Sequence, residues 1–259
     1  MAIPRVHLIV GAEGCAQASR ERGVAVVIDA LRASVTLSVM FARGMDHVIV
    51  VAEVEDAFDL KRASSDALLV GERGSLKIPG FDFGNSPLAL ASEDFSGRRA
   101  VFTSTTGSRR LIEAGGASAV LVGCVPNVSE VADVARNRAV ESGAPVFVIP
   151  AGSAERPEEE PSEDIAAAVA VIGRMGEVEV ASGGQLFDRF TRSIREKGLE
   201  TVFREAPHGR ELIGKGFAGD VDYCSVSDSL TEVPFVSGTI PLQSGRIGAT
   251  LTPPLEKSA

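Results

Sequence analysis

The sequence predicts a three-layer α/β/α fold with a largely parallel or mixed central sheet. Short runs rich in Val, Ile and Leu alternate with longer segments in which apolar residues recur at helical spacing. The short runs show no alternation with polar residues, which is typical of strands that are covered on both faces. Several of the longer segments end at Gly, a common helix stop. This alternation favours a sheet with helices on both faces.

Each element is predicted from its own stretch of sequence. Seven apolar runs are predicted to be strands, at 5–10, 24–29, 47–51, 67–71, 99–104, 119–123 and 145–150. Between them we predict helices over 34–44, 53–64, 107–116 and 128–143. A further helix is predicted to open with Glu163 and Asp164, after an acidic, proline-bearing loop.

The last part of the chain has a different pattern. Residues 184–216 are predicted to be helical, with Pro207 interrupting the helix because proline has no N–H to donate. From Asp220 onward we expect short strands and turns, with a frayed end over 252–259. No internal repeat or low-complexity linker marks a boundary. We therefore predict one domain over 1–259, which includes the helical and mixed part from about residue 184.

Composition and charge restrict the partners. The 259 residues carry a formal net charge of −9, whereas general nucleic-acid binding requires a basic surface. A cleft in such a protein can still bind a small anion, because local arginines and N–H groups reverse the field there. We expect a small anionic ligand and no nucleic-acid partner. The sequence leaves open whether the chain forms a homo-oligomer.

The cysteines and the apolar runs indicate a location. The three cysteines are far apart and form no C-x-x-C pair, which favours a reducing compartment. The first residues lack a secretory pattern, and no apolar run is long enough to span a membrane. We therefore expect a cytoplasmic protein without a membrane partner.

Several catalytic schemes are absent from the sequence. It contains no P-loop motif and no G-x-S-x-G nucleophile elbow. The histidines lack zinc-site spacing. A phosphoaspartate scheme fits poorly, because Leu31 stands where Asp29 would need a second acid, and Asp220 does not follow a buried strand.

The predicted strand ends carry polar side chains, and ligands collect at such ends in α/β sheets. Asp29 ends one strand and is followed by Arg32, Ser34 and Thr36, and Glu72 follows another. A long loop after Glu72 contains Asp82 and the GNSP motif, and loops longer than usual are often functional. The motif TSTTG (103–107) opens a helix after a third strand.

Each of these features also has a simpler structural interpretation. Asp29 could cap the following helix, and acids in a first turn such as Glu163 and Asp164 favour the helix dipole whatever their function. Ser86 with the proline after it is typical of an ordinary helix N-terminus, with serine as the N-cap and proline at the first helical position. Together, however, carboxylates from several strand ends suit Mg²⁺. Arg32 and helix N-termini suit an anion beside it.

The chain resembles the 2-phosphosulfolactate phosphatase family, which is named for a magnesium-dependent step in coenzyme M biosynthesis. The resemblance covers about the whole chain and follows the family's order. It rests on VVIDALRASVT (26–36), GERGSLKIPGFDFGNSP (71–87), TSTTGSRRL (103–111), GCVPNVSEVA (123–132), SEDIAAA (162–168) and HGRELIGKGFAGDVDYC (208–224).

The resemblance implies an α/β/α hydrolase that removes phosphate from 2-phosphosulfolactate with Mg²⁺ as cofactor. We expect direct hydrolysis by a water that the metal or a carboxylate activates, because the sequence offers no convincing covalent nucleophile. Catalysis is carried over to Asp29, Arg32 and Glu72, and metal binding to Asp29, Glu72, Glu163 and Asp164. The substrate anions are expected to contact Arg32, Ser34, Asn85, Ser86, Thr105, Thr106, Gly107 and Asn127.

Two departures leave other functions open. Thr105-Thr106-Gly107 stands where the family pattern has T-N-G, and the loop before Glu163 is strongly acidic, which would repel a polyanion at the cleft. The alternatives are a phosphatase of another small phosphorylated acid and a non-catalytic anion-binding protein on the same fold.

Overall fold

The computed structural model of the chain describes residues 3–253. The strands in this range are β1 (Arg5–Leu8), β2 (Val24–Ile28), β3 (His47–Val50), β4 (Leu68–Arg73), β5 (Leu76–Lys77), β6 (Arg99–Thr103), β7 (Ala119–Val122), β8 (Val146–Pro150), β9 (Glu179–Ser182), β10 (Phe235–Pro241) and β11 (Ile247–Thr252).

The α-helices in the same range follow most of the strands. They are α1 (Gly11–Arg20), α2 (Ala33–Ala42), α3 (Val54–Ala63), α4 (Pro87–Leu90), α5 (Gly107–Glu113), α6 (Val128–Ser142), α7 (Ser162–Arg174), α8 (Gly184–Lys197), α9 (Leu199–Glu205), α10 (Pro207–Gly214) and α11 (Ala218–Cys224).

The strands form one mixed sheet in the order β5-β4-β6-β3-β11-β10-β7-β2-β8-β1-β9. Strands β7, β2, β8, β1 and β9 are parallel to one another, and so are β4, β6 and β3. The antiparallel hairpin β10–β11 joins the two groups, pairing with β3 on one side and with β7 on the other. The predicted fold class, a three-layer α/β/α fold with a largely parallel or mixed sheet, is confirmed.

Helices cover both faces of the sheet. Helices α1 and α5 pack together against β2 and β8, whereas α6 and α7 form the other layer, with α8 beside them. Every residue of β2 and β8 is buried. This double coverage explains why the strand sequences show no polar alternation.

The C-terminal helices place one further element near the strand ends. Pro207 is the first residue of α10, so it interrupts the helical stretch as predicted. Helices α9 and α10 both pack against α7. This contact brings the N-terminus of α10 next to the N-terminus of α7.

Sequence reasoning missed some elements of the fold. It did not predict α1, whose buried face consists of Gly11, Gly14, Cys15 and Ala18, because small residues give a weak apolar pattern. It also did not predict the short strands β5 and β9.

The prediction of strands and turns from Asp220 was wrong for residues 220–224, which belong to α11 (Ala218–Cys224). The buried face of this helix includes the charged Asp220, which breaks the apolar pattern of a helix. Strands β10 and β11 then follow. Most of the predicted frayed end, residues 254–259, lies outside the described residues. Among the helices of residues 3–253, none has the length and apolarity needed to cross a bilayer.

Candidate active site

A cleft opens where the loops after β2, β4, β6 and β8 meet the N-termini of α7 and α10. It holds about 780 Å³ of free space, including its open mouth. All four predicted metal ligands and all three predicted catalytic residues line it. The loops therefore bring together side chains that are up to 135 positions apart, from Asp29 to Asp164.

Asp29 lies directly after the central strand β2. Its Oδ1 accepts a hydrogen bond from the Ala33 N–H at 3.2 Å, so the aspartate does cap the first turn of α2. The Asp29 N–H in turn donates to the Ser34 hydroxyl at 2.9 Å. The other carboxylate oxygen, Oδ2, faces Gly107, where an added Cβ would lie only 2.6 Å from it. Capping and a place in the cleft are thus compatible for this residue.

Glu72 is held by donors from two loops. Its Oε1 accepts hydrogen bonds from the N–H and the hydroxyl of Thr105, at 2.7 and 2.9 Å. Its Oε2 accepts one from the Ser75 N–H at 2.8 Å. The preceding Gly71 allows this close approach of β4 to β6, because a Cβ there would lie 2.1 Å from the Thr103 carbonyl oxygen. Glu72 therefore fixes the loop after β6 to the end of β4.

Glu163 and Asp164 lie in the first turn of α7, but their contacts are with other elements. Asp164 accepts hydrogen bonds from the N–H groups of Ala30, at 2.7 Å, and Gly152, at 3.0 Å. It therefore connects the loops after β2 and β8. Glu163 is buried, its Oε1 lies 3.7 Å from His208 Nδ1, and its Oε2 has no hydrogen-bond partner among the described residues.

The concentration of carboxylates in the cleft changes their proton affinity. Burial raises the pKa of Asp29, and the charges of Glu72 and Glu163 raise it further. Burial raises the pKa of Asp164 well above its usual range, with Glu163 and Asp29 adding to the effect. Burial alone would lower the pKa of His208, but the adjacent carboxylate of Glu163 and the other nearby acids raise it above its ordinary value. The site is therefore short of positive charge.

Arg32 lines the cleft, yet its guanidinium is engaged by protein groups. Its Nη1 donates to Asp220 Oδ2 at 2.6 Å and its Nη2 to the Ser75 carbonyl oxygen at 2.7 Å. The guanidinium carbon also lies 4.2 Å from the centre of the Phe217 ring. Both members of the Arg32–Asp220 pair are 2% exposed. Arg32 therefore ties the loop after β2 to α11.

The predicted substrate-binding residues fall into two groups. Arg32, Asn85, Thr105 and Thr106 line the cleft, and Asn85 Oδ1 is buried without a partner among residues 3–253. The Thr106 hydroxyl accepts a hydrogen bond from the Ala154 N–H at 3.3 Å. The threonine that departs from the family's T-N-G pattern therefore holds the start of the acidic loop.

The remaining predicted substrate-binding residues lie behind the cleft wall. The hydroxyl of Ser86 donates to Asp220 at 2.7 Å and caps α4. Asn127 is fully buried, and its amide bonds the Cys124 N–H and the carbonyl oxygens of Val122 and Glu232. Ser34 and Gly107 contact Asp29. These four side chains or positions shape the loops that carry the cleft residues.

The donor set of the cleft fits Mg²⁺ in its chemistry. No three His, Cys, Asp or Glu side chains within 3–253 are arranged to surround a metal ion by themselves. Mg²⁺, however, commonly takes one or two carboxylates and completes its shell with water and substrate oxygens. Glu163 Oε2 and Asn85 Oδ1 are buried in the cleft without a hydrogen-bond partner among the described residues, and both are oxygen acceptors. Glu163 and Asp29 are the carboxylates best placed to hold such a cation.

Sequence reasoning missed several residues of the site. His208, Ser75, Glu211 and Arg156 line the cleft, and Asp220 is the partner of Arg32. The HGRELIGKGFAGDVDYC block contains three of these five, so the family resemblance pointed to the segment without giving its residues a role. Asp220 itself was considered only as a nucleophile. Asp220 is buried in α11, where it holds the guanidinium of Arg32.

The fold and the cleft define an α/β/α protein with an acidic site at the carboxyl ends of its strands. Residues 12–239 match the family described as 2-phosphosulpholactate phosphatase. This match covers most of the chain, which therefore belongs to that family.

Similar proteins come from several bacteria, and three examples each bear the name "Probable 2-phosphosulfolactate phosphatase". A protein of Carboxydothermus hydrogenoformans is 33% identical over 226 residues, covering 86% of this chain and 91% of the relative. One from Thermotoga petrophila is 32% identical over 210 residues, with 81% and 87% covered. One from Clostridium perfringens strain 13 is 31% identical over 255 residues, with 95% and 100% covered.

The family membership confirms the predicted resemblance. It also confirms the predicted enzyme class, a phosphoric monoester hydrolase, at the level of the family. The roles predicted for individual residues and for Mg²⁺ stay predictions.

Proposed function

We propose that the chain is a Mg²⁺-dependent phosphatase that converts 2-phosphosulfolactate to sulfolactate and phosphate. The observation that carries the proposal is the excess of acid in the cleft. Eight carboxylates line it, against two arginines and one histidine, and Arg32 is already paired. A substrate that bears phosphate, carboxylate and sulfonate groups would be repelled unless a divalent cation lay between it and these acids.

Of the four predicted metal ligands, two have a carboxylate oxygen that accepts no hydrogen bond within the described residues, and these two would hold the ion. These are Asp29, whose Oδ2 faces the cleft wall at Gly107, and Glu163, whose Oε2 has no partner in the described structure. When bound, Mg²⁺ would supply positive charge for the phosphoryl oxygens. The family's printed name, the relatives' names and this donor chemistry all support the proposal.

Side chains of the protein would carry out the proton transfers of the reaction. A water attacks phosphorus as the bond between phosphorus and the ester oxygen breaks, and its proton passes to a cleft carboxylate. The departing oxygen needs a proton, and we assign its delivery to His208, an imidazole that lines the cleft 3.7 Å from Glu163 and whose pKa the neighbouring acids raise. Glu72 holds the Thr105 loop through two hydrogen bonds and the Ser75 N–H through a third. Direct attack by water remains our expectation for the reaction.

Phosphate release measured with MgCl₂ and with EDTA tests the proposal. We expect the purified protein to release phosphate from 2-phosphosulfolactate in MgCl₂ and to lose this activity in EDTA. Glu163→Gln should abolish the release, since it removes a charge from the site. The matched control is Glu158→Gln, because Glu158 is exposed on the same acidic loop and does not line the cleft.

Three other results would contradict the proposal in different ways. Equal activity in EDTA would remove the role of Mg²⁺. Release from other phosphorylated 2-hydroxy acids but not from 2-phosphosulfolactate would move the substrate to another small acid. Thermal stabilisation by these compounds without any phosphate release would indicate an anion-binding protein on the same fold.

A further inference from the structure

We propose that Arg156 binds the sulfonate of the substrate and so determines which phosphorylated acids the enzyme prefers. The proposal rests on the proposed function, because it concerns the same cleft. Arg156 lies in the acidic loop between β8 and α7 and lines the cleft mouth. Its side chain is far more exposed than that of Glu163, 45% against 6%, so we place Arg156 nearer the solvent than the carboxylates beside which the phosphate is expected.

Of the two guanidinium groups that line the cleft, only that of Arg156 can exchange its partners readily. Arg32 is 2% exposed and is held by Asp220 and by the Ser75 carbonyl. The side chain of Arg156 is 45% exposed. It pairs with Glu159 at 3.0 Å and with Glu211 at 2.9 Å. Exposed ion pairs of this kind are weak, so a ligand can replace them.

Of the two glutamates that Arg156 would release, Glu211 keeps other partners. Glu211 Oε1 accepts hydrogen bonds from Lys215 Nζ at 2.7 Å and from the Ser75 hydroxyl at 3.1 Å. The hydrogen bond with Lys215 is the largest of the effects that lower the pKa of Glu211 to about 2. Glu211 therefore stays compensated when Arg156 turns towards a substrate.

Of the carboxylate and the sulfonate of the substrate, the sulfonate is the group that we expect Arg156 to bind. The sulfonate is one carbon further from the ester oxygen than the carboxylate is, so it reaches furthest from the phosphate. A planar guanidinium can donate two hydrogen bonds to such an oxyanion. It would also offset the acids of the mouth, Glu155, Glu159 and Glu160, which would otherwise repel a sulfonate.

Two substrates that differ only in this group provide the test. In 2-phospholactate a hydrogen replaces the sulfonate of 2-phosphosulfolactate. We expect Arg156→Gln to raise KM for 2-phosphosulfolactate by about tenfold or more, the scale of a lost charge-assisted hydrogen bond. KM for 2-phospholactate should change by less than about threefold. Arg156→Lys should lie between the wild type and Arg156→Gln, because it keeps the charge and loses the fork.

The matched control is Arg189→Gln. Arg189 also ties the acidic loop to a C-terminal helix, through an ion pair with Glu160, but it does not line the active cleft. It should leave the preference between the two substrates unchanged. An equal change of KM for both substrates in Arg156→Gln would show that Arg156 only holds the loop, and would overturn the proposal.

Calorimetry separates this proposal from the proposed function. Sulfolactate carries the sulfonate but has no phosphate to release. We expect it to bind the wild type in MgCl₂ about tenfold more tightly than Arg156→Gln. This result together with no phosphate release would keep the sulfonate contact and reject the phosphatase activity. Equal binding by the two proteins, or no binding by the wild type, would reject the contact.

Discussion

Two pairs of carboxylates line the same cleft, and their oxygens are used differently. Glu72 and Asp164 are committed, because each accepts hydrogen bonds from two different loops on both of its oxygens. Asp29 and Glu163 are less engaged. Asp29 accepts the Ala33 N–H on Oδ1, and Glu163 Oε2 has no partner within 3–253.

The difference separates the building of the site from its chemistry. A carboxylate that receives N–H donors from several loops holds those loops together, because a buried N–H that loses its acceptor is costly. A buried carboxylate oxygen without a donor is itself unfavourable unless a ligand completes it. We infer that Glu72 and Asp164 position the loops, whereas Asp29 and Glu163 face the ion and the substrate.

The most direct way to break this division is to neutralise one acid of each kind. Asp29→Asn and Glu72→Gln should both lower kcat by about a thousandfold, within the range seen for groups that act on the reacting atoms or hold them. Only Glu72→Gln should also lower the free energy of unfolding, by about 2 kcal/mol, because its amide cannot accept on both sides. Phosphate-release kinetics and urea unfolding in EDTA measure the two effects. An equal loss of stability in Asp29→Asn would contradict the division.

Arg32 resembles Glu72 and Asp164, because its guanidinium is also fully engaged by protein groups, among them Asp220. Asp220→Asn should lower the free energy of unfolding by about 3 kcal/mol, because it leaves the buried guanidinium without its counter-ion. The control is Asp222→Asn, on the same helix as Asp220. It breaks an exposed ion pair with Arg204 of α9 and should cost less than about 1 kcal/mol. Urea denaturation measures both variants. If Arg32 only contacted substrate, Asp220→Asn would change KM and leave stability unchanged.

The position of Asp29 can be tested without changing its charge. In Gly107→Ala the new Cβ would lie 2.6 Å from Asp29 Oδ2 and 3.0 Å from Ala33 Cβ, so Asp29 must move. We expect kcat/KM to fall by about tenfold or more. Gly173→Ala is the control, because no described atom lies within 4 Å of its added Cβ; it should gain up to about 1 kcal/mol of helix stability. Unchanged kinetics in Gly107→Ala would show that Asp29 tolerates displacement.

The sequence allowed the location of this site at the strand ends, and several of its residues, to be predicted. The apolar strands, and the polar residues at their ends, placed Asp29 and Glu72 in one cleft because strand ends collect ligands in α/β sheets. The acids that open α7 were also identified, although their helical position alone suggested only a favourable dipole interaction. The structure shows that Asp164 instead binds N–H groups of two other loops.

The division between committed and free oxygens could not be predicted. It depends on which N–H group faces each carboxylate, and those donors, Thr105 and Gly152 among them, come from distant segments. Arg32 shows the same difficulty, because its partner Asp220 is 188 positions away and lies on a helix that the sequence pattern did not predict. His208 was missed because its role depends on the packing of α10 against α7.

The smallest expected effect is on the pH dependence of stability, which tests the charge of one carboxylate from each pair, Asp29 and Asp164. Burial and the neighbouring acids raise the pKa of Asp29, and that of Asp164 is raised in the same direction. The folded protein without metal therefore holds protons that the unfolded chain releases near pH 4. The stability that these two carboxyl groups contribute is therefore fully present below that pH and is lost as the pH rises through their raised pKa values.

Asp29→Asn should make this fall less steep, because it removes one of the two acids and also one of the charges that raise the pKa of Asp164. Asp188→Asn, at an exposed position of α8, is the control and should leave the slope unchanged. Thermal unfolding in EDTA between pH 4 and pH 8 measures the slope, and MgCl₂ should reduce it in the wild type more than in Asp29→Asn, since a bound cation stabilises the ionised carboxylates. A slope that Mg²⁺ changes equally in both proteins would remove Asp29 from the ion site and leave Glu163 as the carboxylate that faces the ion.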